Sequence, residues 1–473
     1  MSYVGGIRQP GPFAPLGLPT RHTRVSLARV KRLLLPALLI AALAFAGSAE
    51  ARSGYTVIDY GKRELFAARG IVPGGGGSSL LSLSVGAQDD QLMGVLKIDK
   101  RGRVVKGFGR HGIATARTGS GYFEDTASLV RLPDGRIVVT GTSSGNGPFA
   151  QQAIGLAAFK SNGARGGTAR FAFEDVSTVP NFIVTRPGGG FAVGGMGFVG
   201  PTPYACLAAF TPSLKVDPAY DSKCEVPQGA TSAYFVDGLA LPDGSIIGGV
   251  ATTHLGRPPD PNGEGESGQP VLGFGVSRTG PDGKRDPGFG ESNGWTFSRV
   301  GDKECDGERP DARSIAPRAG GGWIVGGGLA CQTGLVAFTA SGAVDTSFGK
   351  NGRVTTDLDP GRGVELMTGL VRMPDGGFAG IAGRLGGRDL LVGRWKANGT
   401  PDRSFDGDGR LRLRTANVLG YDFRYNGGIQ ARPGGGLLVT VTVSTPPRRF
   451  AAIALNRRGK LDHSFGAGSA RVR

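Results

Sequence analysis

The sequence predicts an all-β fold, a β-propeller of seven four-stranded blades of about 57 residues each. Three observations predict it. A phrase, Asp-x-Ser-Phe-Gly-x-x-Gly in its fullest form, recurs at nearly constant spacing. A second phrase, Leu-Pro-Asp-Gly or a degenerate form of it, alternates with the first. Gly and Pro together make 115 of 473 residues, a density that a helical protein does not tolerate and that many tight turns require. A fixed period in this range marks a repeat architecture in which each repeat is one supersecondary unit.

The first phrase reads Asp286-Pro-Gly-Phe289, Asp345-Thr-Ser-Phe348, Asp402-Arg-Ser-Phe405 and Asp462-His-Ser-Phe465 in its clear copies. Weaker copies are Asp217-Pro-Ala-Tyr220 and Val105-Lys-Gly-Phe108. Phe289, Phe348, Phe405 and Phe465 follow one another at 59, 57 and 60 residues. Asp in a turn caps backbone N–H groups, so the repeated Asp is read as a cap set before a packing Phe.

The second phrase is Leu132-Pro-Asp-Gly135, Leu241-Pro-Asp-Gly244 and Met373-Pro-Asp-Gly376, each between two apolar runs. Arg186-Pro-Gly-Gly189, Arg432-Pro-Gly-Gly435, Val72-Pro-Gly-Gly75 and Pro317-Arg-Ala-Gly320 are read as variants. Pro presets φ at the second turn position and Gly accepts positive φ, which makes this a hairpin signal. A third apolar run, such as Leu390 to Trp395, leads into the Asp-x-Ser-Phe phrase, and a Val-rich run such as Arg353 to Thr356 follows it. Four strands and their turns, seven times over, make a propeller. After residue 51 no stretch holds a 3.6-residue periodicity, which excludes helical solenoids. The last strand, Ser469 to Arg473, is expected to complete the first blade beside a strand near Tyr55 to Asp59, closing an open sheet edge.

These phrases resemble the delta-60 repeat of bacterial surface and secreted proteins, over nearly all of the chain from about Tyr55 onward. The segment from about Ala116 to Pro180 departs from the pattern, with only Arg170-Phe-Ala-Phe173 where the phrase should stand. The resemblance implies the repeat fold and brings no activity with it.

Residues 1–51 read as a signal peptide. Arg21, Arg24, Arg29, Lys31 and Arg32 precede an apolar run from Leu33 to Phe45, and Ala49-Glu-Ala51 fits a cleavage site. The run is short for a bilayer span, so no transmembrane segment is expected in the mature chain. Residues 52–473 then form a single propeller domain, secreted or associated with the cell envelope and expected to be a monomer. Cys206 and Cys224 fall in one blade, Cys305 and Cys331 in another. The pairings Cys206–Cys224 and Cys305–Cys331 are expected, because neighbouring strands of a blade come within bridging distance. Disulfides suit an oxidising compartment.

Beyond residue 51 the chain carries 49 Lys and Arg against 37 acids, a net charge of +12. That balance favours acidic partners. Arg410, Arg412 and Arg414 alternate along one strand, Arg448 to Lys460 form a second basic concentration, and Lys97 to Arg110 a third. No aromatic platform interleaves with them, so a nucleic-acid partner is not expected. The partners expected are acidic or neutral envelope polysaccharide, or another envelope protein.

Catalytic signals are weak. Gly141-Thr-Ser143-Ser-Gly145 matches a nucleophile motif, but that motif needs a strand turning into a helix, and here a Gly-rich loop is expected. His111, His254 and His463 fall in three different blades, and no catalytic residue is assigned. Of cofactors, only calcium merits candidates: Asp260, Asn262 and Glu264 imitate half of an oxygen-ligand loop, yet Val271 stands where the closing carboxylate belongs. A second acidic turn holds Asp402, Asp406 and Asp408. The 252–270 insertion is the longest departure from the repeat, and loops on a rigid scaffold are where binding usually resides. The expected function is a non-enzymatic binding module. A polysaccharide hydrolase or lyase with its site in the funnel and a purely structural envelope module are the alternatives.

Overall fold

The computed structural model describes residues 53–471 apart from 88–89, 120–123, 146–150, 255–270, 302–310, 330, 362, 385–386, 415–422, 425–426, 445–446 and 467. The described strands fall into seven sheets, antiparallel except for one parallel edge pair, the blades of a seven-bladed β-propeller. Blade 1 follows strand β1 (Tyr55–Asp59) and holds β2 (Leu65–Gly75), β3 (Ser78–Ala87), β4 (Asp90–Ile98) and β5 (Ile113–Ala116). Blade 2 is β6 (Glu124–Arg131), β7 (Ile137–Ser143), β8 (Ala153–Phe159) and β9 (Arg165–Phe171). Blade 3 is β10 (Ser177–Thr185), β11 (Phe191–Val199), β12 (Thr202–Phe210) and β13 (Lys223–Glu225). Blade 4 is β14 (Ala230–Ala240), β15 (Ile246–His254), β16 (Val271–Thr279) and β17 (Trp295–Gly301). Blade 5 is β18 (Asp311–Pro317), β19 (Trp323–Leu329), β20 (Gln332–Phe338) and β21 (Arg353–Thr356). Blade 6 is β22 (Glu365–Arg372), β23 (Phe378–Arg384), β24 (Leu390–Trp395) and β25 (Arg410–Leu413). Blade 7 takes β26 (Phe423–Arg424), β27 (Ile429–Ala431), β28 (Leu437–Val443) and β29 (Arg449–Leu455). Among the described residues no helix is long and apolar enough to cross a membrane.

The ring closes in blade 7, which corrects the expectation of closure in blade 1. Strand β1 is the fourth strand of blade 7, antiparallel to β29 with Tyr55 opposite Ile453. Strand β30 (Gly468–Arg471) adds outside it, parallel to β1. The physical reason is a matter of supply. Blade 1 has four strands of its own, whereas blade 7 lacks an outer one. A second correction concerns Val72-Pro-Gly-Gly75, which lies inside β2; Gly75 faces Ser78 and the two-residue turn falls on Gly76 and Gly77.

Seven apolar clusters fill the seven blade-to-blade interfaces, one each. The second and third strands of a blade are covered on both faces: every residue of β7, β8 and β28 is buried, the threonines of β7 and β28 included. The outer strand β9 shows no buried residue.

The two phrases build one face of the ring, which we call the turn face. The residue after each repeat Phe donates its N–H to a turn carbonyl of the next blade. Gly290 bonds Ser341, Asp406 bonds Arg458 and Gly466 bonds Arg101, at 2.8, 3.0 and 2.8 Å. The Gly of that next turn lies against the ring of the Phe. A Cβ on Gly102 would meet the Phe465 ring at 2.6 Å, and Gly102 sits at φ +77°. Gly109, Asp221 and Gly349 make the equivalent bonds to Asn162, Asp282 and Asn398. Six interfaces carry this lock. Blade 2, which lacks the phrase, does not offer it to blade 3.

The repeated Asp does two things. Its Oδ1 accepts the N–H two residues on, at 3.0 Å for Asp286, Asp345, Asp402 and Asp462 alike. Its Oδ2 takes an arginine, and the source of that arginine alternates. In blades 3, 5 and 7 it comes from the first position of the hairpin turn: Arg186 to Asp217, Arg318 to Asp345, Arg432 to Asp462. Those guanidinium groups also cover Tyr220, Phe348 and Phe465. In blades 4 and 6 the turn position is Leu241 or Met373, and the arginine comes from the third strand instead, Arg278 to Asp286 and Arg394 to Asp402. The corresponding third-strand residues of blades 3, 5 and 7 are Ala209, Ala337 and Ala454.

Candidate ligand site in the central channel

The inner strands β2, β6, β10, β14, β18 and β22 line the channel and each is broken by a β-bulge at the same level. In blades 2 to 6 one residue is extra: Ala127, Asn181, Val236, Arg313 and Thr368. In blade 1 three residues, Ala68 to Gly70, oppose the single Ser82. A bulge re-aims a side chain that regular pairing would fix, and here it turns the ring of bulges into the floor of a funnel. Ser82 holds the wide bulge by accepting from Gly70 N at 2.8 Å and donating to Gly70 O at 3.2 Å. Gly428 of blade 7 packs so closely behind it that a Cβ there would stand 2.2 Å from the Arg69 carbonyl oxygen.

The funnel is a cavity of about 490 Å³ on the face opposite the turn face. Its lining combines bulge residues Arg69, Ala127, Asn181, Arg313 and Thr368 with Phe66, Asp125, Thr126 and Pro180 just before them. Gln91, Thr142, Thr442 and Arg448 contribute from the ends of second and third strands. Amides, hydroxyls and guanidinium groups thus converge on apolar backing, which is the usual make-up of a ligand pocket.

Arg69 crosses the channel. Its Nη1 donates to Val236 O at 3.1 Å and to Arg313 O at 3.3 Å, on blades 4 and 5. Asn181 Nδ2 similarly donates to Phe235 O at 2.6 Å. Burial, and then repulsion from Arg313, pull the Arg69 pKa below its ordinary value, while Asp237 and Asp311 oppose the shift. Arg313 pairs with Asp311 at 2.6 Å, and Tyr234 Oη donates to the other oxygen of Asp311 at 2.6 Å. Burial pushes the Tyr234 hydroxyl upward, with Asp311 adding to the effect. Arg448 pairs with Glu64 at 3.3 Å and lies over the Phe66 ring at 5.0 Å.

Two carboxyls around the funnel are pushed above the usual range by burial. Asp237 is held by Ser314 Oγ, Ile315 N and Gly238 N, which limit the rise. Asp125 accepts from Ser84 Oγ at 3.0 Å. The residue is exposed to the cavity, and the bonds from Ser84 and from Thr126 N limit the rise. Asp125 is the only acid among the described lining residues. Hydrolysis by a carboxylate pair needs a second one beside it.

The sequence candidates lie elsewhere. Phe108, Phe289, Phe348, Phe405 and Phe465, with Asp286, Asp345, Asp402 and Asp462, are on the turn face as structural parts. Cys206 and Cys224 are opposite residues of β12 and β13 and form the expected disulfide. Cys331 is disulfide-bonded as well, and its expected partner Cys305 lies outside the described residues. The calcium candidates Asp260, Asn262 and Glu264 also lie outside them. Their insertion leaves β15 at His254 and re-enters at Val271, paired residues at the funnel end of blade 4. Among the described residues no three His, Cys or acidic groups converge as metal ligands. In the acidic turn, Asp402, Asp406 and Asp408 are each taken by a separate cation, Arg394, Lys460 and Arg410.

Two readings need correction. Gly141 to Ser143 is strand, not loop, because β7 extends to Ser143, which is fully buried. The Arg410–Arg414 stripe is largely neutralised: Arg410 pairs with Asp408 and Arg412 with Asp389 and Asp359. Sequence reasoning missed Arg69, Asp125 and Arg313 as site residues, and had Arg448 only as one end of a basic concentration.

No family model matches the chain, and no curated protein matches it. Among solved structures, a polysaccharide lyase aligns at 12% identity and a TM-score of 0.46, over 83% of this chain and 90% of its own. An ulvan lyase aligns at 11% and 0.46, over 86% and 97%. A protein of unknown function from Dyadobacter fermentans aligns at 13% and 0.40, over 85% and 97%. At such identities and TM-scores they give this chain neither a substrate nor a residue role.

Proposed function

We propose that this protein is a secreted, non-enzymatic recognition propeller that receives a segment of envelope polysaccharide in the funnel. The observation that carries this reading is the lining. Asn181, Gln91, Thr142 and Thr442 offer the amide and hydroxyl partners that sugar hydroxyls need, set on a floor stiffened by bonds across the ring. Pre-organisation of this kind lowers the ordering cost of binding. Export agrees with the basic, apolar, small-residue order of residues 21–51 and with the Cys206–Cys224 disulfide.

The test is binding of the purified protein to insoluble cell-wall fractions and a glycan panel across a salt series, beside an Ala127→Trp variant that fills the funnel. Saturable binding that survives high salt and is lost in the variant supports the reading. Binding unchanged in the variant contradicts it. Release of new reducing or unsaturated ends from any glycan would replace recognition by catalysis.

A further inference from the structure

Arg69 stands apart from the other arginines of the funnel. Arg313 has Asp311 and Arg448 has Glu64. Among the described residues no carboxylate lies within ion-pair distance of Arg69, whose hydrogen bonds are the two from Nη1 to backbone carbonyls. Asp237, the acid beside it, spends its oxygens on Ser314, Ile315 and Gly238. A guanidinium carries five N–H donors in a planar fork and keeps its proton. The donors on Nε and Nη2 are therefore left over, at the floor of a cavity.

Arg69 is part-buried and its unused donors still meet the cavity's solvent, so the arrangement costs a fraction of what full burial would. A cation drawn out of water is costly unless it is paired, and carbonyl dipoles compensate only in part. The lowered Arg69 pKa reports the same cost. The wide bulge at Ala68 to Gly70, with Gly428 making room behind it, shows that the backbone is shaped to hold this side chain here.

We infer that Arg69 is the seat for an oxyanion of the ligand, a uronate carboxylate or a sulfate ester on a sugar chain. This rests on the funnel being the binding site. A planar oxyanion meets the remaining fork in two parallel hydrogen bonds, the geometry in which arginine exceeds lysine. Anion binding would complete the ion pair that the chain leaves open.

Titration calorimetry at fixed salt tests this with three probes: oligogalacturonate, its fully methyl-esterified neutral form, and dextran sulfate fragments. The proteins are the wild type, Arg69→Gln, Arg69→Lys, and Arg136→Gln on the turn face, with folding of each checked by circular dichroism. The expected result is binding of one or both acidic probes in preference to the ester, weakened at least about tenfold in Arg69→Gln, partly retained in Arg69→Lys and unchanged in Arg136→Gln. Preference for oligogalacturonate identifies a carboxylate, and preference for dextran sulfate a sulfate. Equal binding of ester and acid overturns the oxyanion seat while leaving the funnel reading intact. Acid binding that survives Arg69→Gln also overturns it. Failure of all three probes with folded wild-type protein overturns both.

Discussion

Arg69 Nη1 lies 3.1 Å from the carbonyl oxygen of Val236, a residue on the far side of the ring. Both residues belong to bulges at the same level of their strands, so one side chain ties blade 1 to blade 4 through the axis. The bond divides the molecule. On one side of it lie the repeat phrases and their locks between blades; on the other lies a polar cavity whose residues follow no repeat.

The lock at ring closure should be the most sensitive of the six. Phe465 is buried, and its ring lies where a Cβ on Gly102 would have to go. Phe465→Ala should cost about 3–5 kcal/mol in urea unfolding, the usual loss for a truncated core aromatic. Gly102→Val adds a branched side chain at positive φ and should also lower the midpoint. An unchanged midpoint in both would show that the Phe does not hold blade 7 to blade 1.

The alternating arginine is a test of exchange within a blade. Arg394 is almost wholly buried and serves Asp402 and Asp375. Arg394→Ala strands the buried Asp402 carboxylate and should destabilise by about 3 kcal/mol. Adding Met373→Arg in the same chain recreates the arrangement of blade 5, with Arg at the turn and Ala on the third strand. Equilibrium unfolding should show the double variant more stable than Arg394→Ala alone. If the second change lowers stability further, the two positions are not interchangeable.

Acid should unfold the protein from the turn face. Asp217, Asp345 and Asp462 are held below their ordinary pKa of 3.8, Asp217 and Asp345 by hydrogen bonds from Arg186 and Ser347 first of all. For Asp462, burial is the largest influence, but it is outweighed by bonds from Ser464 and Arg432. A depressed pKa gives stability that is present above the unfolded value and lost as pH falls through the folded one. Thermal midpoints should therefore fall steeply below about pH 4. Asp237 and Asp125 carry the opposite sign: their raised pKa values add stability as pH falls from above toward about 4, and nothing further below it, where both states are protonated. A midpoint that stays level or rises as pH drops from about 4 to 2 would contradict the role given to the turn-face pairs.

How far the sequence could be read follows from the same division. The Asp-x-Ser-Phe and Pro-Asp-Gly phrases are legible because six of the seven blades meet the next in the same way and the hairpin turns recur beside them. The Arg-for-Leu change at residues 186 and 432 looked like decay of the turn phrase, and at 318 it was hidden because the turn was read from Pro317, which lies in β18. Only the packing reveals that these arginines supply the partner of the repeated Asp. Closure was half legible. Tyr55 to Asp59 and the last strand do pair, but which blade lacked an outer strand depended on counting strands that Gly74 to Gly77 obscured. Arg69 was hidden. It is one of 49 cations in the chain beyond residue 51, and its place comes from three residues opposing Ser82, a register that no local pattern announces. The adjacent Gly70 and the extra length of β2 were the available signals.

The most direct test of the account is a crystal structure of the full protein soaked with an oligogalacturonate. The account predicts density in the funnel, with a carboxylate against Nε and Nη2 of Arg69 and hydroxyls near Asn181 and Gln91. Density confined to the turn face, among the Asp-x-Ser-Phe turns, would contradict it.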